Sequence, residues 1–252
     1  MGFTFRSPKG QVTLMGLIFL LNFTAFMVIQ AYASNLYGEV MGANVNTAIY
    51  ASFTLSCFVS PTVTNKLGTK LTMGLGILGY GALVVASVAY FLHETAALGG
   101  VVVAGGAVLG LGAALLWTAQ GRLILQYSAL HGSSGELLAI FWGIFNVSAI
   151  LGGIMTFAYF SQSEDSGNVA LYVVFLAFIL SSAALCAAIV TPAALARDLD
   201  ARAAEGDANR DVENEGMGPR DALLENPGPA GTAAPAPAPA SESAGDSLQG
   251  GD

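Results

Sequence analysis

Long apolar runs separated by short polar breaks are the main pattern of residues 12–190. A helix needs about 20 predominantly apolar residues to cross a bilayer core, and six runs approach that length. The pattern therefore predicts an all-α, polytopic membrane protein with six transmembrane helices. The predicted spans are Val12–Tyr32, Val45–Thr64, Thr69–Leu92, Ala97–Gly121, Leu137–Phe160 and Val169–Val190.

The run Gly105–Gly121 contains more glycine than a soluble helix usually does. Each glycine inside a helix costs about 1 kcal/mol relative to alanine, whereas small residues in a membrane helix let a neighbouring helix approach closely. Gly106 and Gly110 have the four-residue spacing of such contacts. The run is therefore typical of a membrane helix with a closely packed neighbour.

The charged residues indicate how the spans are oriented. Only 10% of the 252 residues are charged, compared with roughly 25% in an average globular protein. With the N-terminus in the cytosol, all nine Lys and Arg residues fall in cytosolic segments, as the positive-inside rule requires. The three outer loops, around Glu39, His93-Glu94 and Glu164-Asp165, contain none. This predicts cytosolic N- and C-termini, without distinguishing the plasma membrane from an endomembrane.

Composition changes abruptly after Pro192. Residues 193–252 are rich in Ala, Pro, Gly and acidic residues, and the acids of this segment account for the net charge of −8. Such a segment cannot bury enough apolar surface to offset its ordering entropy. We therefore predict two parts, a membrane bundle over residues 1–192 and a disordered cytosolic tail over residues 193–252. A nucleic-acid partner is not expected, because it would require a clustered basic face.

Catalytic and metal-binding chemistry is not indicated. The two cysteines and two histidines are isolated from one another in sequence, so no metal site, disulfide framework or cofactor is expected. The only charged residue within the predicted spans is Lys70, at the cytosolic start of the third span, while Arg122 and Glu136 directly adjoin the cytosolic ends of the fourth and fifth spans. The carboxylate relay typical of proton-coupled transport is therefore missing from these spans.

The other polar residues within the spans are uncharged. Asn22 and Gln30 are eight residues apart and therefore share one side of a helix. Such residues can hydrogen-bond neighbouring helices, at roughly 0.6 kcal/mol a pair, or can line a cavity for a neutral or amphipathic ligand. Both interpretations stay open, and the ligand is unknown. The candidate cavity-lining residues are Asn22, Gln30, Trp117, Thr118, Gln120 and Asn146.

The turn between the second and third spans is short and basic, with Asn65, Lys66, Gly68 and Lys70. It resembles the Asp-(Arg/Lys)-x-Gly-(Arg/Lys)-(Arg/Lys) motif that the major facilitator superfamily carries in this loop, although Asn65 replaces the aspartate. Residues 109–121, with 141–145 and 150–152, resemble the Unc-ninety-three-like family of that superfamily. Phe23-Thr-Ala-Phe26 and Gln30 are similar to the first helix of that family.

The resemblance extends over roughly Leu14–Gly153 and implies the six-helix N-terminal bundle of a major facilitator fold. Full members have twelve spans, with the substrate cavity between two bundles. The resemblance implies a non-enzymatic accessory or regulatory factor that binds another membrane protein. The alternative is a facilitative transporter of small molecules or ions, either as a dimer of half-units or as a fragment of a twelve-span protein. The expected partners are therefore the lipid bilayer and either another membrane protein or a second copy of this chain.

Overall fold

The computed structural model describes residues 4–161 and 169–216, and the described residues form helices and connecting turns without a strand. The predicted outer loop at Glu164-Asp165 and the part of the predicted tail from 217 to 252 lie outside the described residues. The helices are α1 (Pro8–Ala31), α2 (Ala33–Tyr37), α3 (Glu39–Cys57), α4 (Ser60–Leu67), α5 (Thr69–His93), α6 (Ala96–His131), α7 (Ser134–Phe160), α8 (Val169–Ala187) and α9 (Pro192–Gly216).

Five of these helices, α1, α5, α6, α7 and α8, are long and apolar enough to cross a membrane. The prediction of a polytopic, helical membrane protein is therefore confirmed. The fourth predicted span is longer than expected, because α6 continues through Gly121 for another ten residues. Leu123, Ile124 and Tyr127 of this extension are buried, and Gly132, at φ 81°, ends the helix in a left-handed conformation.

The second predicted span, Val45–Thr64, is interrupted in the structure. α3 ends at Cys57 and α4 begins at Ser60, with Pro61 in the first turn of α4. Proline lacks a backbone N–H and favours the start of a helix over its interior. α3 has 19 residues but is less apolar than the five helices that are long and apolar enough to cross a membrane. A sixth crossing therefore stays a prediction.

The predicted disordered tail begins as a helix, which corrects that prediction for residues 193–216. α9 spans Pro192–Gly216, and the chain divides into units Met1–Arg202 and Ala203–Asp252. The beginning of α9 therefore belongs to the first unit. Leu195 is fully buried there, and the Asp198 carboxylate lies 2.7 Å from the guanidinium of Arg6. The average composition of residues 193–252 did not indicate this helix, because the few apolar residues of the segment are concentrated in the first two turns of α9.

Glycines on two sides of α6 allow close packing with both α3 and α5. A Cβ atom added at Gly106 would lie 3.1 Å from the carbonyl oxygen of Val45 on α3. One added at Gly112 would lie 2.6 Å from the carbonyl oxygen of Gly76 on α5. A side chain would separate the backbones at both positions, so the sequence prediction of a close helix contact at Gly106 is confirmed.

Candidate functional site

An aromatic cluster joins four helices and extends from the buried core to the bundle surface at Trp142. The Trp117 ring of α6 packs edge-on against Phe19 and Phe23 of α1, at centroid distances of 5.1 and 5.4 Å, and stacks on Trp142 of α7 at 6.0 Å. Edge-on and offset arrangements are those that aromatic quadrupoles favour. The aromatic cluster consists of Phe19, Phe23, Phe26, Tyr80, Trp117, Phe141, Trp142 and Phe145.

Helices α1 and α7 pack beside this cluster with a parallel register. A Cβ atom added at Gly16 would lie 3.0 Å from Cβ of Ile144. One added at Gly152 would lie 3.4 Å from the carbonyl oxygen of Thr24. Residue numbers increase in the same direction along α1 and α7 at these two contacts. Residues 16–24 of α1 therefore lie alongside residues 144–152 of α7.

Two buried polar side chains lie in these two segments, Asn22 on α1 and Ser148 on α7. Both are almost completely buried. Neither the Asn22 amide nor the Ser148 hydroxyl has a hydrogen-bond partner among the described residues. An unsatisfied buried polar group costs about 1–3 kcal/mol. Asn22 is therefore a buried group beside the aromatic cluster that the packing does not satisfy.

The other candidate on α1, Gln30, links α1 to α3. Its Nε2 donates a hydrogen bond to the Tyr50 hydroxyl, which supports helix-to-helix bonding for this pair. Tyr50 also lies in a polar stripe along α3, at helical spacing with Asn46, Thr47 and Thr54. The stripe borders an open groove of about 700 Å³.

The remaining candidates differ in their surroundings. Asn146 is exposed on α7, and its amide donates to the carbonyl oxygen of Trp142 in the same helix at 2.7 Å. Trp142 is itself 44% exposed. Thr118 is half-buried and Gln120 is buried on α6. The six candidates therefore differ in exposure and in hydrogen-bond partners, and their common lining of a cavity stays a prediction.

Polar groups are distributed unequally over the bundle surface. We call Gln30, Tyr50, Thr54, Trp142 and Asn146 the polar face; these partly or fully exposed residues lie on α1, α3 and α7, and α7 also exposes Val147, Ile150, Ile154 and Phe157. The apolar face, on α5 and α8, exposes Leu71, Leu75, Leu78, Val85, Val173, Val174 and Leu180. Ser181 also lies on α8, where its hydroxyl donates to its own helix.

The basic turn and its hydrogen bonds connect four helices at one end of the bundle. Gly68 has φ 81°, a conformation that favours glycine, and separates α4 from α5. Arg122 of α6 donates a hydrogen bond to the Asn65 side chain. The Lys70 ammonium lies 2.6 Å from the carbonyl oxygen of Ala187, the last residue of α8, where a cation complements the helix dipole.

The sequence analysis did not identify a second set of hydrogen bonds at the same end of the bundle, which Gln11 makes. This residue is fully buried, and its amide donates to the Phe5 carbonyl at 3.0 Å and accepts from the Val190 N–H at 2.8 Å. The Tyr127 hydroxyl donates to the Val190 carbonyl at 2.6 Å. Gln11 precedes an apolar run like any other boundary residue, so its sequence position did not identify its partners.

A further ionic contact at this end involves Glu136 in the first turn of α7. Its carboxylate lies 2.5 Å from the Lys9 ammonium and 2.8 Å from Nε2 of His131. Hydrogen bonds from Lys9 and His131 hold the pKa of the Glu136 carboxyl below its usual range. Glu136 precedes the predicted span Leu137–Phe160, so these groups meet outside the expected bilayer core.

Comparison with known proteins supports the resemblance. Residues 40–207 match a family model described as ion channel regulatory protein UNC-93. UNC93-like protein 1 of Arabidopsis thaliana is 31% identical over 197 residues, covering 77% of this chain and 42% of the relative. UNC93-like protein C922.05c of Schizosaccharomyces pombe is 34% identical over 159 residues, covering 62% and 31%, respectively. UNC93-like protein MFSD11 of Xenopus tropicalis is 25% identical over 162 residues, covering 60% and 35%.

The chain spans less than half the length of these curated relatives. No solved structure matches it.

Proposed function

The chain belongs to the UNC-93 family, and from that membership we propose that it is a non-enzymatic accessory factor that regulates another membrane protein by binding it within the bilayer. The polar face is the observation that carries this proposal. Family membership alone suggests regulation, whereas the polar face indicates where a partner would bind.

Hydrocarbon is a poor environment for the groups on this face. Three groups on this face can form hydrogen bonds in addition to those described above: the amides of Gln30 and Asn146 and the hydroxyl of Tyr50. Lipid chains cannot supply these additional hydrogen bonds, whereas polar side chains of a partner helix can. Tyr and Trp, which the polar face also exposes, are enriched at protein interfaces.

The topology that we propose for this function has six crossings with both termini in the cytosol. α3 provides the sixth crossing. Its 19 residues extend about 28 Å, close to the hydrocarbon thickness of a bilayer. Lys9, Lys70 and Arg122 lie at the end of the bundle where α1 begins and α8 ends, which the positive-inside rule assigns to the cytosol.

Co-purification of a membrane partner tests the proposal. A tagged protein extracted from its own cells in a mild detergent should recover a membrane protein in stoichiometric amount. Recovery should fall by about fivefold or more in Thr54→Leu, because interface residues that contribute most to binding cost more than about 1 kcal/mol when changed.

Ser181→Leu is the matched control for Thr54→Leu. Both residues are exposed hydroxyls on membrane helices, and both donate to a carbonyl oxygen four residues earlier. Thr54 belongs to the polar face and Ser181 lies on α8, so only the first change should release the partner. Absence of a stoichiometric partner in several detergents, or equal loss in both variants, would contradict the proposal.

A facilitative carrier is the second candidate, and the groove along α3 favours it. Asn46, Thr47, Tyr50 and Thr54 line this groove of about 700 Å³ together with Ala51 and Leu55, and a second bundle facing it would enclose a cavity with these polar groups along one wall. Purified protein in liposomes should then move a solute, and Gln30→Leu should slow the movement while Ser181→Leu does not. Flux equal to that of protein-free liposomes across broad solute pools would contradict this candidate.

A further inference from the structure

A groove of about 570 Å³ opens between the α4–α5 turn and the end of α8. Its apolar wall includes Leu67, Leu71 and Ala183, and polar residues lie toward the turn. Gly74 also lines the groove, and a Cβ atom added there would have no heavy atom within 4 Å. The groove is therefore an apolar channel with unoccupied space beside α5.

The polar end of this groove has the properties of an anion site. It contains the first residues of α5, whose N-cap Gly68 supplies no side-chain hydrogen bond to the helix. The first N–H groups of a helix and the positive end of its dipole favour an anion. The Thr69 hydroxyl and the Lys70 ammonium line the same end.

Positive charge remains available at this site. Lys70 donates to the carbonyl oxygen of Ala187, but an ammonium group has three donors, so two N–H groups stay available. Lys66, in the last turn of α4, is exposed and lies two residues before Gly68. Lys70 therefore lines the groove itself, and Lys66 adds a second positive charge close to it in sequence, outside the groove lining.

We propose that this groove binds an anionic phospholipid of the cytosolic leaflet. The phosphate lies at the α5 N-terminus beside Lys70, within the field of the nearby Lys66 charge, and one acyl chain follows Leu71 and Gly74. The combination of an anion site and an apolar channel selects a lipid over a free anion, which would use only the polar end. The groove also borders the apolar face, where Leu71, Leu75 and Leu78 are exposed.

This site is distinct from the polar face that carries the proposed function. It lies between α5 and α8, whereas the polar face lies on α1, α3 and α7. Lipid binding can therefore be tested without knowing the regulated protein.

Native mass spectrometry of the delipidated full chain tests the site, with phosphatidylserine as the probe and phosphatidylcholine as the neutral comparison. Phosphatidylserine should give one saturable adduct, bound more tightly than phosphatidylcholine. Lys66→Gln should weaken the adduct by about fivefold, the effect expected for one lysine near an anionic lipid surface. Lys9→Gln is the charge control, because Lys9 pairs with Glu136, and it should leave the adduct unchanged.

A second variant tests the acyl channel without altering charge. Gly74→Leu places a side chain in the open space of the groove and should reduce phosphatidylserine binding by a similar factor. The matched control is Gly143→Leu on α7, where an added Cβ atom also has no heavy atom within 4 Å. The control also shows whether a leucine added at a helix surface disturbs the fold.

Three results would overturn the inference. The first is equal binding of phosphatidylserine and phosphatidylcholine. The second is a phosphatidylserine adduct that neither Lys66→Gln nor Gly74→Leu weakens. The third is full competition by inorganic phosphate in Gly74→Leu and wild type alike, which would indicate a free-anion site.

Discussion

At the scale of single residues, Asn22 and Gln11 show how differently two buried amides of the same helix can be accommodated. The Gln11 amide has partners for both its oxygen and its nitrogen. Asn22 has none among the described residues. Only Gln11 is therefore held by hydrogen bonds of the bundle itself.

This difference predicts opposite effects of the same kind of substitution on stability. Gln11→Leu should lower the free energy of unfolding by about 1–3 kcal/mol, because it leaves the Val190 N–H without its partner. Asn22→Leu should leave stability unchanged or raise it, since it removes an unsatisfied group of similar size. Thermal unfolding of both variants in one detergent measures the difference.

A large loss of stability in Asn22→Leu would show that the Asn22 amide has a partner in the folded protein, such as a buried water. An unchanged Gln11→Leu would contradict the link between α1 and the end of α8.

At the scale of helices, α6 depends on glycines that face two neighbours. Gly110 faces α3, where a Cβ atom would lie 2.9 Å from the backbone nitrogen of Phe53 and would also contact Ser52 and Ile49. Backbone atoms cannot move aside as a flexible side chain can. The contact between α3 and α6 therefore needs glycine at this position.

Gly110→Val should separate α3 from α6 and lower thermal stability, by about 1–3 kcal/mol if the helices shift to accommodate the side chain. Gly100→Val on the same helix is the control, because an added Cβ there has no heavy atom within 4 Å. Equal stability of the two variants would contradict the close contact. Fluorescence-detected size-exclusion chromatography after stepwise heating provides the measurement.

The sequence predicted the helices well where apolar length alone determines them. α1, α7 and α8 lie close to the predicted spans, and Gly106 makes the close contact that its spacing indicated. The ends of α4 and α6 were harder to predict. Pro61 starts a helix within an apolar run, and the buried side of α6 continues past Gly121 because Leu123 and Tyr127 find tertiary contacts.

The candidate site was predicted less well than the fold, because polarity identifies residues without identifying their partners. Asn22 and Asn146 are both amides in apolar helices, yet one is buried without a partner and the other is exposed. The link from Gln11 to Val190 joins residues 179 positions apart in sequence. Such a pairing depends on how the helices pack, which local composition does not specify.

At the scale of the whole molecule, the beginning of α9 contacts residues near the start of the chain. Leu195 is fully buried, and Asp198 pairs with Arg6 near the start of the chain. Arg202 also donates to the Arg6 carbonyl oxygen at 3.4 Å. Residues 203–210 are exposed.

The effect of a C-terminal truncation on stability should therefore depend on how much of α9 it removes. Ending the chain after Thr191 should lower the free energy of unfolding by about 2–3 kcal/mol, the value of one buried leucine, because it removes Leu195. Ending it after Arg202 should leave stability unchanged. Thermal unfolding of both truncations checks this, and an equal effect of the two would contradict the role of the first turns of α9.

The molecule as a whole is proposed to present one surface to protein and another to lipid. Photo-crosslinking in intact membranes tests this division most directly, with a photoreactive amino acid at Asn146 on the polar face or at Val173 on the apolar face. We predict that the probe at position 146 gives a protein adduct of discrete mass, while the probe at position 173 gives only lipid adducts. Lipid adducts alone at both positions, or the same protein adduct at both, would contradict the account.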